Sequence, residues 1–376
     1  MIRSLWLALF LITSTLSAQE ERPRIRELGF TPGVLATGPL NAITDVAGVR
    51  VGQVTVTSGD TINTGVTAIL PHGGNPFLDR VPAAVHVGNG FGKFIGTTQV
   101  SELGELETPI VLTCTLCVWR AADAMIAWLL ALPGMERVRS INAVVGETND
   151  GGLSDIRLRP ITAADVVTAL ESASTGPVEE GSVGAGRGTT AFGWKAGIGT
   201  SSRRLPASLG GWTVGALVQS NFGGVLQIDG VPVGEMLGRH SYRNQLISER
   251  GDGSVIIVIA TDAPLNERQL ERVAARGIMG LARTGADASN GSGDYAIAFS
   301  TAESVRRPRD ESIRTDQVLA DDAISPVFLA AIEAVEEAIY NSLARATPVT
   351  YRGRTAEPVP VDRLRELAGS GQAGGN

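Results

Sequence analysis

Histidine and cysteine are scarce, with three His and two Cys in 376 residues. A histidine-based triad would have to be assembled from His72, His86 and His240, and no GxSxG elbow or HExxH helix accompanies any of them. Each is read as a turn or core residue, and none is assigned a role. Both cysteines lie in Cys114-Thr115-Leu116-Cys117, so a tetrahedral zinc site would need two further ligands, and no cluster supplies them. The apolar surroundings of the pair, Ile110 to Leu112 with Val118 and Trp119, favour two buried thiols over a disulfide. Basic charge is also lacking. With 32 Lys and Arg against 39 Asp and Glu, the net charge of -7 gives no electrostatic basis for binding nucleic acid or an anionic membrane. The glycine-rich runs do not make nucleotide sites either. Around Gly88-Asn-Gly-Phe-Gly-Lys93, Val87 stands where a phosphate loop needs its first glycine, and Phe94 replaces the metal-binding hydroxyl. Gly184-Ala-Gly-Arg-Gly188 misplaces the third glycine of a dinucleotide fingerprint and has no acidic residue about twenty positions on.

What is present fits a globular chain: 43% apolar residues, 46 Gly and 18 Pro imply a sizeable core with many tight turns, hence a mixed α and β architecture. Met1 to Ser4 carry one positive charge, Leu5 to Ile12 are too short an apolar run to span a bilayer, and small or polar residues follow to Ala18. This layout predicts a signal peptide over 1–18, cut after Ala18 or Ser17, and an exported, periplasmic or secreted product with no later membrane span.

Short apolar runs at Gly48–Val56 and Gly65–Leu70 read as strands. Helical spacing predicts helices over Ala121–Leu132 and Ile161–Ser172. Strands are expected around Val183, over Phe192–Ile198 and over Trp212–Gln219. Asp229–Gly253 is charged and polar and reads as an exposed connection. At Ser254 it meets Ser-Val-Ile-Ile-Val-Ile-Ala, a β-branched run suited to a strand buried on both faces. A helix from Glu267 to Thr284 is capped by Asn266 with Gln269 and stopped by Gly285; Asp294–Phe299 reads as a strand, and Ser325-Pro326 opens a last long helix. From Thr347 the Pro- and Gly-rich tail is expected to be only partly ordered.

The Gly253-Ser254 junction is chemically suggestive. Attack of the Ser254 hydroxyl on the Gly253 carbonyl gives an ester, and hydrolysis of that ester frees an α-amino group beside the hydroxyl. With a pKa of about 8, that amine is a base near working pH, so no histidine is needed.

An ordered set of stretches makes the junction specific. These are Thr37–Gly52 (TGPLNAITDVAGVRVG), Asn89–Lys93 (NGFGK), Gly146–Asp150 (GETND), Val183–Gly186 (VGAG), Gly197–Ser201 (GIGTS), Val218–Gly223 (VQSNFG), Gly251–Ser254 (GDGS) and Ser292–Asp294 (SGD). In this order they resemble the self-processing serine aminopeptidases, the family of L-aminopeptidase/D-amino-acid esterases and β-aminopeptidases. The resemblance implies a four-layer α/β/β/α sandwich of the N-terminal-nucleophile type, an α+β single domain built of an α-chain (19–253) and a β-chain (254–376). It implies autocleavage between Gly253 and Ser254, with Ser254 as nucleophile, Ser292 and Asp294 assisting its amino group, Asn221 in the oxyanion hole and Glu147 holding a substrate ammonium. Some relatives carry Glu where Asp294 stands, and an aromatic residue often follows the stretch that ends at Asp150, where Gly151-Gly152 here leaves more room. The implied reaction releases N-terminal residues from small peptides, amides or esters through an acyl-enzyme, without metal or organic cofactor, in a homo-oligomer of processed units. An acyltransferase or a D- or β-aminoacyl amidase on the same scaffold, and a non-processing exported binding protein, are the alternatives.

Overall fold

The computed structural model of the chain describes residues 21–240 and 253–373. The expected signal peptide and the stretch 241–252 of the polar connection lie outside the described residues.

In chain order, the elements that position the site are β1 (Arg50–Ser58), β2 (Ile62–Leu70), β3 (Asp79–Gly90), β4 (Phe94–Ile95), β5 (Ile110–Cys114), α1 (Val118–Leu130), β6 (Val144–Thr148), α2 (Ala163–Glu171), β7 (Ile198–Arg204), β8 (Thr213–Asn221), β9 (Ser254–Thr261), α3 (Glu267–Arg283), β10 (Gly293–Ser300) and α4 (Ser325–Ala344). One sheet has the order β1-β2-β5-β6-β4. The other runs β7-β8-β9-β10-β3 and is extended by two short strands, Glu105–Leu106 and Arg307–Pro308.

Three buried apolar clusters result, and they define four layers. Val145, Met125 and Val166 lie between the first sheet and α1 with α2. Leu112, Ile256, Val258 and Ile297 lie between the two sheets. Val255, Ile257, Val273 and Val335 lie between the second sheet and α3 with α4. Successive residues of β9 thus serve different clusters, which is why its apolar run is continuous: both faces are buried, and each fully buried Ile or Val contributes about 1.5–3 kcal/mol. This is the expected α/β/β/α sandwich. Close approach of layers is bought by glycine: a Cβ on Gly199 of β7 would stand 1.9 Å from the Ala338 carbonyl of α4. The same interface holds a buried guanidinium, Arg203, paired with Glu333 at 3.1 Å and Glu337 at 2.8 Å, so that no charge is left uncompensated.

Local signals mostly match. The Asn266 side chain accepts from Gln269 N at 3.0 Å and the Gln269 side chain accepts from Asn266 N at 3.2 Å, the reciprocal cap expected for α3. The His72 ring bonds the Asp79 carbonyl at 2.7 Å and the Gly74 N–H at 3.1 Å, a turn role.

Four expectations are corrected. Instead of a strand at Val183, a 3-10 turn covers Gly184–Gly186, because Gly184 N and Ala185 N donate to the Thr55 and Thr67 hydroxyls of β1 and β2. Phe192–Ile198 is not one strand: Phe192 and Gly193, at φ 52° and 83°, form the turn of a small hairpin. The 229–240 part of the connection contains a short helix, Val233–Met236, anchored by the buried Val233. The tail from Thr347 is structured, with a hairpin (Val349–Tyr351 with Arg354–Ala356) and a helix, Val361–Ala373. Val359, Leu364 and Leu367 bury in the helix-side cluster of the second sheet, which offsets the tail's Pro and Gly content.

Candidate active site

Ser254 is the first residue of β9 and is almost fully buried. Register sets its neighbours: in the antiparallel pairing with β8 it faces Asn221, the last residue of that strand, and in the parallel pairing with β10 it faces Gly293, the first residue of that one. Three strand ends therefore converge at one point. The Ser254 hydroxyl lies 2.6 Å from the carbonyl oxygen of Gly253, the residue before it. The Gly293 N–H points at both, at 3.2 Å from the Gly253 oxygen and 3.3 Å from the hydroxyl oxygen. A fixed N–H donor aimed at a carbonyl under attack is what an oxyanion hole requires. Sequence reasoning missed Gly293 as a participant, since a backbone donor is placed by register and leaves no side-chain signal.

Ser292 and Asp294 come together as expected: the serine hydroxyl donates to Asp294 Oδ1 at 2.5 Å. Asp294 aligns with Val255, whose side chain belongs to the helix-side cluster, whereas Ile256 packs between the sheets. By strand alternation the Ser254 hydroxyl then faces the inter-sheet side and Asp294 the other, so the carboxylate suits the backbone nitrogen at the strand end better than the hydroxyl. Asp294 Oδ2 is buried with no partner, and burial pushes the carboxyl above its ordinary range, with the Ser292 bond opposing.

The Asn221 side chain is held at both ends. Its oxygen accepts from Thr190 N at 3.1 Å, and one N–H donates to the Asn149 carbonyl at 3.1 Å; among the described residues the second N–H has no acceptor. Asn221, Asn149, Thr190, Gly151, Gly152 and Tyr351 line an open cavity of about 840 Å³. Leu153, Ile156, Arg157 and Arg352 line it as well, so Gly151 and Gly152 leave room on one part of its wall only.

Glu147, near the end of β6, is buried. A methyl group added at Gly92 would touch Glu147 Oε1 at 3.2 Å and the Gly293 Cα at 3.4 Å, so the carboxylate lies about one methyl group from the strand end that faces Ser254. Oε1 accepts from Lys93 N at 3.0 Å and pairs with Lys93 Nζ at 3.5 Å, while Oε2 is buried with no partner. Tyr295, the next-but-one residue after Gly293, bonds the Gly92 carbonyl at 3.2 Å; burial, with Glu147 and Asp294 nearby, raises its phenol.

The two cysteines are both buried, as expected, but they are joined: Cys114 and Cys117 form a disulfide across Cα atoms 5.2 Å apart. Apolar neighbours report burial and say nothing of bonding; the turn at the end of β5, closed by Cys117 N to the Cys114 carbonyl at 2.9 Å, brings the sulfurs together.

The sequence matches the model of peptidase family S58 over residues 41–356. It is 38% identical to a β-peptidyl aminopeptidase of Sphingosinicella microcystinivorans, covering 93% of each chain. Among solved structures it resembles the PH0078 protein of Pyrococcus horikoshii (44% identity, TM-score 0.85, covering 94% of this chain and 100% of that one). It also resembles the L-aminopeptidase D-Ala-esterase/amidase of Ochrobactrum anthropi (37% identity, TM-score 0.84, 93% and 99%), described as a prototype for the serine aminopeptidases with a variant of the N-terminal-nucleophile hydrolase fold.

Proposed function

We propose, for a chain that belongs to peptidase family S58, a serine aminopeptidase that activates itself by cutting Gly253–Ser254 and then releases N-terminal residues from small peptides, amides or esters through an acyl-enzyme on Ser254. The observation that carries this reading is the junction itself: a buried hydroxyl against the carbonyl it must attack, with the Gly293 N–H aimed at that carbonyl.

In the maturation step the Ser254 oxygen bonds to the Gly253 carbonyl carbon, the Gly253–Ser254 C–N bond breaks, and the hydroxyl proton passes to the departing nitrogen. Water then hydrolyses the ester, leaving a Gly253 carboxylate and a free α-amine on Ser254. In turnover that amine takes the hydroxyl proton and returns it to the leaving amine of the substrate, a role contributing roughly 10²- to 10⁴-fold. The unpartnered Asp294 Oδ2 supports a role in receiving the new ammonium, with Ser292 orienting the carboxylate through its other oxygen. The second N–H of Asn221, without an acceptor among the described residues, supports a second oxyanion contact beside Gly293. Glu147 Oε2 supports capture of the substrate's ammonium. The roomy cavity beyond Asn221 is compatible with the extra backbone carbon of a β-residue, the substrate type named for the Sphingosinicella relative.

We further propose export to the periplasm or medium, from the N-terminal layout, and assembly as a homo-oligomer of processed units. Denaturing electrophoresis with N-terminal sequencing tests the central reading. Wild type should give two fragments, the smaller beginning at Ser254, and Ser254→Ala a single inactive chain. An uncut wild type that is nonetheless active would sink the mechanism.

A further inference from the structure

We infer that Lys93, steadied by the disulfide-closed turn Cys114–Cys117, is a positioning residue that occupies one oxygen of Glu147 so that the other is presented to the substrate's ammonium group. The inference deepens the reading of Glu147 as ammonium acceptor and rests on it.

Two donors from one residue converge on a single carboxylate oxygen: Lys93 N at 3.0 Å and Lys93 Nζ at 3.5 Å from Glu147 Oε1. A carboxylate held by a backbone N–H cannot rotate freely, so the direction of its second oxygen is fixed as well. That oxygen, Oε2, is buried and has no partner, the condition of an acceptor whose donor arrives with the ligand.

A lysine ammonium is also a hazard in this position. It resembles the group to be captured, its stem is long and flexible, and its side chain is 40% exposed, so it has room to swing onto Oε2 and block the site. Thr115 prevents this. The Thr115 hydroxyl accepts from Lys93 Nζ at 2.8 Å and holds the ammonium on the Oε1 side. Thr115 is in turn fixed from both ends of its turn. Its own N–H donates to the Thr148 carbonyl at 3.1 Å, one residue beyond Glu147, and the disulfide closes Cys114 onto Cys117 around it. The chain of contacts runs from the disulfide turn through Thr115 and Lys93 to Glu147, and it leaves Ser254 untouched.

The device therefore acts on substrate capture and not on self-cleavage or the chemical step. Self-cleavage serves as the internal control of folding. Lys93→Met should still process at Gly253–Ser254, and should raise KM about tenfold for substrates with a free amine while kcat stays within about twofold, the mark of lost uniform binding. Lys93→Arg, which keeps the charge and the backbone donor, should recover most of the loss. Thr115→Val should raise KM by about threefold, and the double variant Cys114→Ser/Cys117→Ser should shift it in the same direction, since each releases Lys93 without removing it. Glu147→Gln is the reference. If it leaves KM unchanged, the reading of Glu147 itself fails. If it raises KM while Lys93→Met and Thr115→Val, both processed, do not, the inference about Lys93 is overturned and the reading of Glu147 survives. Should Lys93→Met fail to process, the Lys93→Arg and Thr115→Val arms carry the same KM test.

Discussion

The two ends of the site are built differently. At the junction, Ser254, Gly253 and Gly293 are placed by strand register, and the decisive donor is a backbone N–H. At the proposed amine end, register sets the backbone of Glu147, but the direction of its carboxylate depends on Lys93 and, behind it, on Thr115 and the disulfide turn. Register is set by the apolar pattern of whole strands, because a slip of one residue would turn every β9 side chain to the wrong cluster. The placement of Ser254 is thus set by the same packing as the core. The amine end depends on a few polar contacts, each worth on the order of 1–3 kcal/mol, and is where substrate preference can change without loss of fold.

This division can be broken by mutation. The largest effect after loss of Ser254 belongs to Asn221→Ala: removing a proposed oxyanion donor should lower kcat by about 10²–10³-fold with little change in KM. A rise in KM with kcat intact would instead move Asn221 to the binding end and collapse the distinction. Asp294→Asn should be milder in rate and clearer in pH. Removing an anion beside the proposed α-amine lowers that amine's pKa, so the rising limb of kcat/KM should shift to lower pH. A profile that does not move would separate Asp294 from the amine.

The smallest effect concerns stability. Asp150, fully buried behind the loop that lines the cavity, has its carboxyl pushed up to about 7, chiefly by burial. A carboxyl that titrates higher in the folded state binds more protons there than in the unfolded chain. The protein therefore loses stability as pH rises from the ordinary carboxylate range to about 7, and stays at the lower level above it. Asp150→Asn should remove that slope, so that the variant's melting temperature exceeds wild type by a few degrees at pH 8 and by less at pH 5. Equal differences at both pH values would place the titration elsewhere.

At the junction two local signals coincide, a charged loop that ends and a β-branched run that begins at one Gly-Ser pair, but a Gly-Ser turn before a strand is common, and only the ordered set of family stretches made it specific. That run and the cap of α3 announced a buried strand and a helix, but the four layers came from the family resemblance, since no local pattern says which face packs on which. Lys93 was not legible, since its glycine-rich setting invited comparison with phosphate loops and, once these were rejected, offered no partner; Glu147 is 54 residues away in the chain. The disulfide was misjudged for a related reason, as burial and bonding give the same local composition. The ordered tail was missed because its anchoring residues, Val359, Leu364 and Leu367, are few and widely set among Pro and Gly, and only the cluster they enter gives them meaning.

The placement of β9 also bears on what a cut chain can recover from. β9 and β10 follow the junction, while the strands that flank this pair, β8 beside β9 and β3 beside β10, precede it, so the two proposed fragments share the middle of one sheet. Their boundary is a hydrogen-bonded core rather than a surface: the first sheet with α1 and α2 stays in one fragment, α3 and α4 stay in the other, and only the second sheet is divided between them. The uncut precursor can refold as a unimolecular event, whereas the matured enzyme, once denatured, must reassemble from two chains at a rate set by their concentration. Maturation would then act as a thermodynamic ratchet, with the precursor's sequence holding folding information that the working enzyme can use only in the presence of its other half.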